Sequence, residues 1–255
     1  TAAGLLALAV ALLHWKAALL PAASLAGAAF LALAARFAYD MFLESRERQF
    51  LRGAFSSYVS PQILKEILRG RIHPGMAGTR QQICVMFCDI RRFTSRAESM
   101  SPEAVIRLLN EYFAATTSAI LRHEGTTNKF LGDGLLAFFG APQTLANPDK
   151  NALEAAQAML ENLARLNEQL AARGEAPLAI GIGLHSGEVV LGHVGGVSHQ
   201  EYTAIGDVVN LASRLEQATK ELGYPVVCSA RVADAVGRAP GLQDLGERPL
   251  PGHSA

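Results

Sequence analysis

The sequence predicts an α+β domain, with helices packed on a mixed sheet, preceded by a transmembrane helical hairpin. Three observations carry this. From about Arg80 onward, strand-like, hairpin-like and helix-like stretches alternate. The helical stretches carry apolar stripes at helical spacing. The first 35 residues hold almost no charge.

Ile83 to Asp89 is nearly continuous in apolar residues and reads as a strand buried on both faces. Ser101-Pro102 caps and starts a helix that runs to Arg122. Thr127 to Phe130 and Leu135 to Phe139 read as strands joined by Leu-Gly-Asp-Gly. Asn147-Pro148 opens a helix to Gly174, with Leu153, Met159, Leu160, Leu163 and Leu166 on one stripe. Leu178 to Leu184 and Glu188 to Gly192 read as a hairpin turning at His185-Ser186-Gly187. Asp207 to Leu222 is a helix closed by Gly223. Pro225 to Ser229 is a strand, and a short helix starts at Ala230.

Ahead of this domain, Thr1 to Leu13 and Ala17 to Ala35 are uncharged, separated by His14-Trp15-Lys16. The second run has 19 residues. As a helix it spans about 28 Å, close to the hydrocarbon thickness of a bilayer. The first run reads as the tail of another span. Arg36, Arg46, Arg48 and Arg52 follow. By the positive-inside rule they place the rest in the cytoplasm and the hairpin in the cell (inner) membrane, in contact with the lipid bilayer. A buried Ala-rich helix pair is the alternative. Asp40 to Arg52 is a charged helical stretch with Phe42/Gln49 and Leu43/Phe50 at heptad spacing. It suits a short parallel coiled coil between two copies or a solvated linker helix. A helix from Pro61 to about Leu68 and a Gly/Pro-bearing linker from Gly70 to Thr79 complete the approach. The expected division is 1–39 transmembrane helices, 40–79 signalling helix and linker, and 80–255 globular domain.

Composition excludes several classes. The chain has 255 residues, Lys+Arg 23 and Asp+Glu 23, so its formal net charge is +0. Nothing in that balance tracks a nucleic-acid backbone. A hydrophobic share of 50% argues against disorder. Cys84, Cys88 and Cys228 sit in apolar runs without metal spacing and read as buried thiols in a reducing compartment.

Two carboxylates stand at strand ends. Asp89 closes the first buried strand and needs a partner or a metal. Asp133 lies in Gly132-Asp133-Gly134, which is also an ordinary tight-turn signal. Two Asp oxygens together with substrate phosphates suit Mg²⁺. Ile90 to Thr94 follows directly, and backbone N–H groups after a strand can cradle phosphate. No P-loop is present. Asn210 and Arg214 are four apart on a helix and share a face. They are either a surface polar pair or a carboxamide and guanidinium presented together to phosphate or ribose. His185, His193 and His199 form no ligand cluster.

Four stretches then match a known family in its order. They are Phe87 to Thr94, Asn128 to Gly140, Gly181 to Glu188 and Tyr202 to Glu216. From Ile83 to about Gly246 the chain resembles the class III nucleotide cyclase catalytic domain. The resemblance implies a ferredoxin-like βαββαβ core. It implies that Asp89 and Asp133, with the backbone of Ile90, bind two Mg²⁺ or Mn²⁺ ions per site. It implies that Phe93 and Thr94 lie along the substrate, and that Lys129 and Thr203 read the purine. Asn210 would orient the ribose, and Arg214 would stabilise charge at the α-phosphate. Guanylate cyclases typically carry Glu and Cys at the two base-reading positions, so Lys129 with Thr203 implies ATP as substrate and cyclic AMP with pyrophosphate as products. In this family Asp89 and Asp133 act with Lys129, Thr203, Asn210 and Arg214 of a second copy, so the resemblance implies a homodimer with two shared sites. One departure stands out: Pro251 occupies the place of a family lysine that holds the terminal phosphates, with Arg248 nearby. The rival readings are a guanylate cyclase, a catalytically silent dimeric signalling module, and an unrelated metal-dependent phosphotransferase.

Overall fold

The structure is a computed structural model and describes residues 2–55, 63, 66, 69–70, 78–196, 199–237 and 241–248. The chain divides into two compact units, Thr1–Tyr58 and Val59–Ala255.

The first unit is one helix, α1 (Ala2–Phe55), of 54 residues. At 1.5 Å per residue it extends for about 80 Å. The expected hairpin is therefore corrected: the chain does not turn at His14-Trp15-Lys16. None of these three residues breaks a helix, and the flanking alanines and leucines are strong helix formers. Among the described residues no helix is long and apolar enough to cross a membrane. The transmembrane spans and the bilayer contact drawn from them are not retained. Along α1, Arg36 Nε donates to Asp40 Oδ2 at 3.0 Å, an i,i+4 pair. The Arg46 guanidinium lies 5.1 Å from the centre of the Phe42 ring.

The second unit is the α+β domain. Its elements are β1 (Thr79–Ile90), α2 (Phe93–Ala97), α3 (Pro102–Arg122), β2 (Thr126–Leu131), β3 (Gly134–Phe139), α4 (Pro148–Ala172), β4 (Ile180–Gly196), β5 (His199–Ile205), α5 (Asp207–Leu222), β6 (Val226–Cys228) and α6 (Ala230–Ala235). The strand order is β2-β3-β1-β4-β5, and β6 pairs in parallel with β4. The run β1-α3-β2-β3-α4-β4 with all-antiparallel neighbours is the ferredoxin-like core that the resemblance implied. Of the helix expected between Pro61 and Leu68, only Ile63 and Glu66 are described, and both are helical and buried. Pro251 lies outside the described residues.

Strand β1 sits in the centre and alternates between two cores. Cys84, Met86, Cys88 and Ile90 enter one, with Leu108, Tyr112 and Ile120 of α3 and Met159, Leu163 and Leu166 of α4. Ile83 and Val85 enter the other, with Val189, Leu191 and Ala212. By the same period of two, Phe87 and Asp89 face the α5 side. Burial on both faces explains why β1 is unbroken in apolar residues from Ile83 to Cys88, after four polar residues at its start.

The hairpin expected at His185-Ser186-Gly187 is replaced by one strand of 17 residues. The ladder runs unbroken across it, pairing Cys84 with Ser186, Val85 with His185 and Ile83 with Gly187. The glycines here serve close approach rather than a turn. A Cβ on Gly183 would lie 2.2 Å from the Glu216 amide nitrogen and 2.3 Å from the Ala212 carbonyl oxygen of α5. A Cβ on Gly187 would meet a methyl of Val208 at 2.5 Å.

The two obstacles differ in kind, and that yields a prediction. Gly183→Ala must move helix backbone, whereas Gly187→Ala must move only a side chain. The first is expected to cost about 3 kcal/mol or more and the second about 1 kcal/mol. Urea unfolding of both variants checks the order; equal losses would contradict it.

Candidate active site

Asp89 is the last residue but one of β1, and the β2–β3 turn closes over it. A Cβ on Gly134 would lie 3.0 Å from the Cys88 carbonyl oxygen and 3.2 Å from Asp89 Oδ1. Gly132 supplies the positive φ, 69°, that this turn needs. Asp133 is thereby brought to Asp89. Its carboxyl is pushed above the ordinary aspartate range, first by partial burial and then by the Asp89 charge. Asp89 Oδ1 also accepts the Ile90 N–H at 3.1 Å. Lys220 Nζ of α5 lies 3.7 Å from Asp89 Oδ2.

Glu216 stands behind this pair. It is buried, and its Oε1 has no hydrogen-bond partner among the described residues. Burial pushes its carboxyl up, and Lys220 pulls it back. Arg91 ties the end of β1 to the end of α5 by donating from Nη2 to the carbonyls of Thr219 at 2.9 Å and Tyr224 at 2.7 Å. A cation at a helix C-terminus also complements the macrodipole. On the other side of β1, burial pushes the Cys88 thiol up to about 12, and its Sγ lies 3.2 Å from the Tyr112 hydroxyl. Cys84 and Cys88 are buried, as expected, and Cys228 is partly so.

The donors at Asp89 and Asp133 fit a divalent cation. Both are hard oxygen ligands, and their mutual repulsion is what a cation relieves. Among the described residues no group of three His, Cys, Asp or Glu forms a complete metal site. Remaining positions would fall to backbone oxygens and substrate.

The other expected residues lie elsewhere. Phe93 begins α2 and packs against the α3/α4 core, while Thr94 is exposed. Arg92, just before, takes φ 58°. The Arg91 N–H is already donated to the Ala179 carbonyl at 2.8 Å, so the phosphate cradle expected over Ile90 to Thr94 loses that donor. Lys129 of β2 and Thr203 of β5 are brought close by neighbouring contacts. Asn128 Nδ2 donates to the Tyr202 carbonyl at 2.7 Å, and Lys129 Nζ lies 2.6 Å from Glu201 Oε2. Asn210 and Arg214 both ride on α5, one turn apart. They make no side-chain hydrogen bond among the described residues. Six residues at 100° each put Arg214 about 120° round the helix from Lys220, the residue that faces Asp89.

Sequence reading missed Glu201, Glu216 and Lys220. Glu201 lies on β5, a strand it did not assign. Glu216 and Lys220 are four apart on α5, a signal that was present beside Asn210 and Arg214.

The raised carboxyls make stability depend on pH. Below about pH 3, under their ordinary pKa values, Asp133 and Glu216 are protonated folded and unfolded alike. As pH rises through their folded values, the folded state comes to hold anions that it disfavours, and their contribution to stability is lost. Metal-free Asp133→Asn is therefore expected to lose less stability than the parent chain between pH 4.5 and 7. Urea midpoints across that range test this; parallel curves for the two proteins would refute it.

Residues 76–236 match the family described as the adenylate and guanylate cyclase catalytic domain. Among curated relatives, adenylate cyclase 1 of Rhizobium meliloti is 35% identical over 178 residues, covering 70% of this chain and 27% of that protein. The adenylate cyclase of Anabaena cylindrica is 37% identical over 200 residues, covering 77% of this chain and 37% of that protein. The chain thus spans well under half the length of these relatives. Among solved structures, the adenylyl cyclase CyaB from P. aeruginosa superposes with a TM-score of 0.63 at 31% identity, covering 71% of this chain and 92% of that one. The guanylyl cyclase Cya2 does so with 0.61 at 34% identity, covering 68% and 86%. With the family match reaching from before β1 to the end of α6, the chain belongs to the adenylate and guanylate cyclase catalytic domain family, the class III nucleotide cyclases.

Proposed function

We propose that this domain converts ATP to 3′,5′-cyclic AMP and pyrophosphate, as half of a homodimer with two shared sites. The observation that carries the reading is the convergence of the Asp89 and Asp133 carboxylates near the end of β1, a pair of hard oxygen donors suited to a divalent cation. The relatives named adenylate cyclase support ATP. Lys129 and Thr203 support it also: a lysine donor satisfies adenine N1, whereas guanine presents an N1–H there. A mismatch that leaves buried polar groups unpaired is costly.

Asp89 and Asp133 would hold the Mg²⁺ or Mn²⁺ ions, two in the full site. When bound, such ions acidify the ribose 3′-hydroxyl and neutralise the triphosphate. The chain's residues then have distinct tasks. Asn210 orients the ribose by its carboxamide. Arg214 supplies fixed positive charge at the α-phosphate, where it is worth more in the transition state than in the bound substrate. Phe93 and Thr94 border the phosphates. Within one chain Lys220, not Arg214, faces Asp89. That favours an arginine supplied by a second copy, and so a dimer.

Two substitutions on opposite halves test the reaction and the sharing together. Asp89→Ala is expected to abolish cyclic AMP formation. Arg214→Ala is expected to lower kcat about 10²- to 10³-fold. Mixing the two inactive variants in equal amounts is expected to restore about a quarter of the parent activity, since half the dimers are mixed and each holds one intact site of two. No recovery on mixing would count against shared sites. Loss of no activity in Asp89→Ala would count against the reaction.

A further inference from the structure

We propose that Lys220 is the resident counter-cation of the Asp89 and Asp133 carboxylates, that it gives way when a divalent cation binds there, and that Glu216 then receives its ammonium. This rests on the reading of those two aspartates as the cation's ligands. Three observations converge on it.

The first is the place of the lysine. Lys220 Nζ lies 3.7 Å from Asp89 Oδ2, within ion-pair range but beyond hydrogen-bond reach, and its side chain is 50% exposed. Its charge also acts on Asp133 and Glu216, so one ammonium serves three carboxyls. A loose, half-exposed pair of this kind is weak and readily exchanged. The second is the state of Glu216. It is 6% exposed, and its Oε1 has no hydrogen-bond partner among the described residues. The third is the position of that oxygen. Gly181 of β4 pairs with Asp89 of β1, so a Cβ on Gly181 would share a face with the Asp89 side chain. That Cβ would lie 2.9 Å from Glu216 Oε1. The unpartnered oxygen therefore stands over the ladder partner of Asp89.

Helix α5 supplies the path. Glu216 and Lys220 are four apart on it, the spacing at which a glutamate and a lysine meet. A flexible four-carbon stem lets the ammonium turn from Asp89 to Glu216 without moving the helix. Arg91, the other nearby cation, has no such freedom, because its Nη2 is held by the Thr219 and Tyr224 carbonyls. An ammonium beside Asp89 is repelled by a doubly charged ion at the same carboxylates. It then has a nearby carboxyl oxygen that still lacks a donor. The lysine thus competes for the empty site, and the glutamate behind it lowers the cost of its displacement.

The test uses the full chain without nucleotide and Mn²⁺ as the probe, with free Mn²⁺ followed by electron paramagnetic resonance. The variants are Lys220→Gln, Lys220→Arg, Glu216→Gln, Lys220→Gln with Glu216→Gln, and Asp89→Asn. Lys220→Gln is expected to tighten Mn²⁺ binding about fivefold at low salt, the scale of one partly exposed ion pair. The gain should shrink at high salt. Lys220→Arg keeps the charge and should bind as the parent does. Glu216→Gln is expected to weaken binding, and to weaken it less when Lys220 is already replaced, since no ammonium then needs a place. If Glu216→Gln does not fold, Glu216→Asp, which draws the oxygen back from Gly181, takes its place in the same comparison. Unchanged or weaker binding in Lys220→Gln would overturn the proposal, and equal losses from the Glu216 change in both backgrounds would overturn the transfer to Glu216. Asp89→Asn is expected to lose the site. If it binds Mn²⁺ as the parent does, the reading of Asp89 as a ligand fails instead, and the inference falls with it. That outcome is read without any Lys220 variant, so the two failures are distinguishable.

Discussion

Helix α5 lies on β4 at backbone contact, and the orientation of most functional side chains follows from that seat. Gly181, Gly183 and Gly187 share one face of β4, interrupted by His185, and leave room there for the helix to approach closely. The helix drops in with Ala212, Leu215, Glu216 and Thr219 inward. Its rotation is thereby fixed, because any side chain at 183 would collide with helix backbone. Once Glu216 faces the sheet, Lys220 one turn later must face Asp89, and Arg214 must point away from it. Arg91 locks the far end by taking two carbonyls at the C-terminus of α5 and just beyond it. A strand glycine thus decides where an arginine points.

Charge is arranged around that seat, although the chain as a whole is neutral. Asp89, Asp133 and Glu216 gather where β1, the β2–β3 turn and α5 meet, with Lys220 and Arg91 as the nearby cations. Three carboxyls against two cations leave the cluster short of positive charge. Arg91 is already committed to backbone carbonyls, and Lys220 is half-exposed and stands at 3.7 Å. The Asp133 and Glu216 carboxyls are raised, first by partial burial and then by the neighbouring carboxylates, and Lys220 offsets this only in part. Such a cluster gains from a divalent cation more than a fully paired one would, since the repulsion is already present in the folded chain.

Much of this was legible in the sequence, and the misses share a cause. β1 was readable because burial on both faces demands an unbroken apolar run. The β2–β3 hairpin was readable because Gly132-Asp133-Gly134 is turn chemistry. α3, α4 and α5 were readable from their stripes and their caps. His185-Ser186-Gly187 misled because glycine has two uses, and a single sequence does not separate them. Here Gly187 makes room for Val208 of α5, a contact twenty-one residues away that no local pattern displays. His14-Trp15-Lys16 misled for the opposite reason: a gap in apolar character looked like a turn, yet nothing in it interrupts helical hydrogen bonding. At the candidate site, Asp89, Asp133, Lys129 and Thr203 were readable as candidates from motif. Glu201 was not, because its meaning depends on β2 and β5 meeting through Asn128 and Tyr202, a tertiary contact.

The placement of the two residue sets bears on why a reaction of this kind would need two copies. Asp89 pairs with Gly181 at one end of β4, and Thr203 pairs with Gly192 at the other. Arg214 is turned away from the carboxylates by the same helix that turns Lys220 toward them. Rotating α5 to bring Arg214 round would lift Ala212 and Leu215 from the core and turn outward-facing side chains against Gly183, where helix backbone already sits, so a single chain has no inexpensive way to close the site on itself. Under the proposed reading, a two-fold axis solves this without any rearrangement, because an isologous pairing presents each copy's outward set to the other's carboxylates and does so twice. The requirement for a partner then follows from how α5 is seated on β4, which is a packing constraint within one chain.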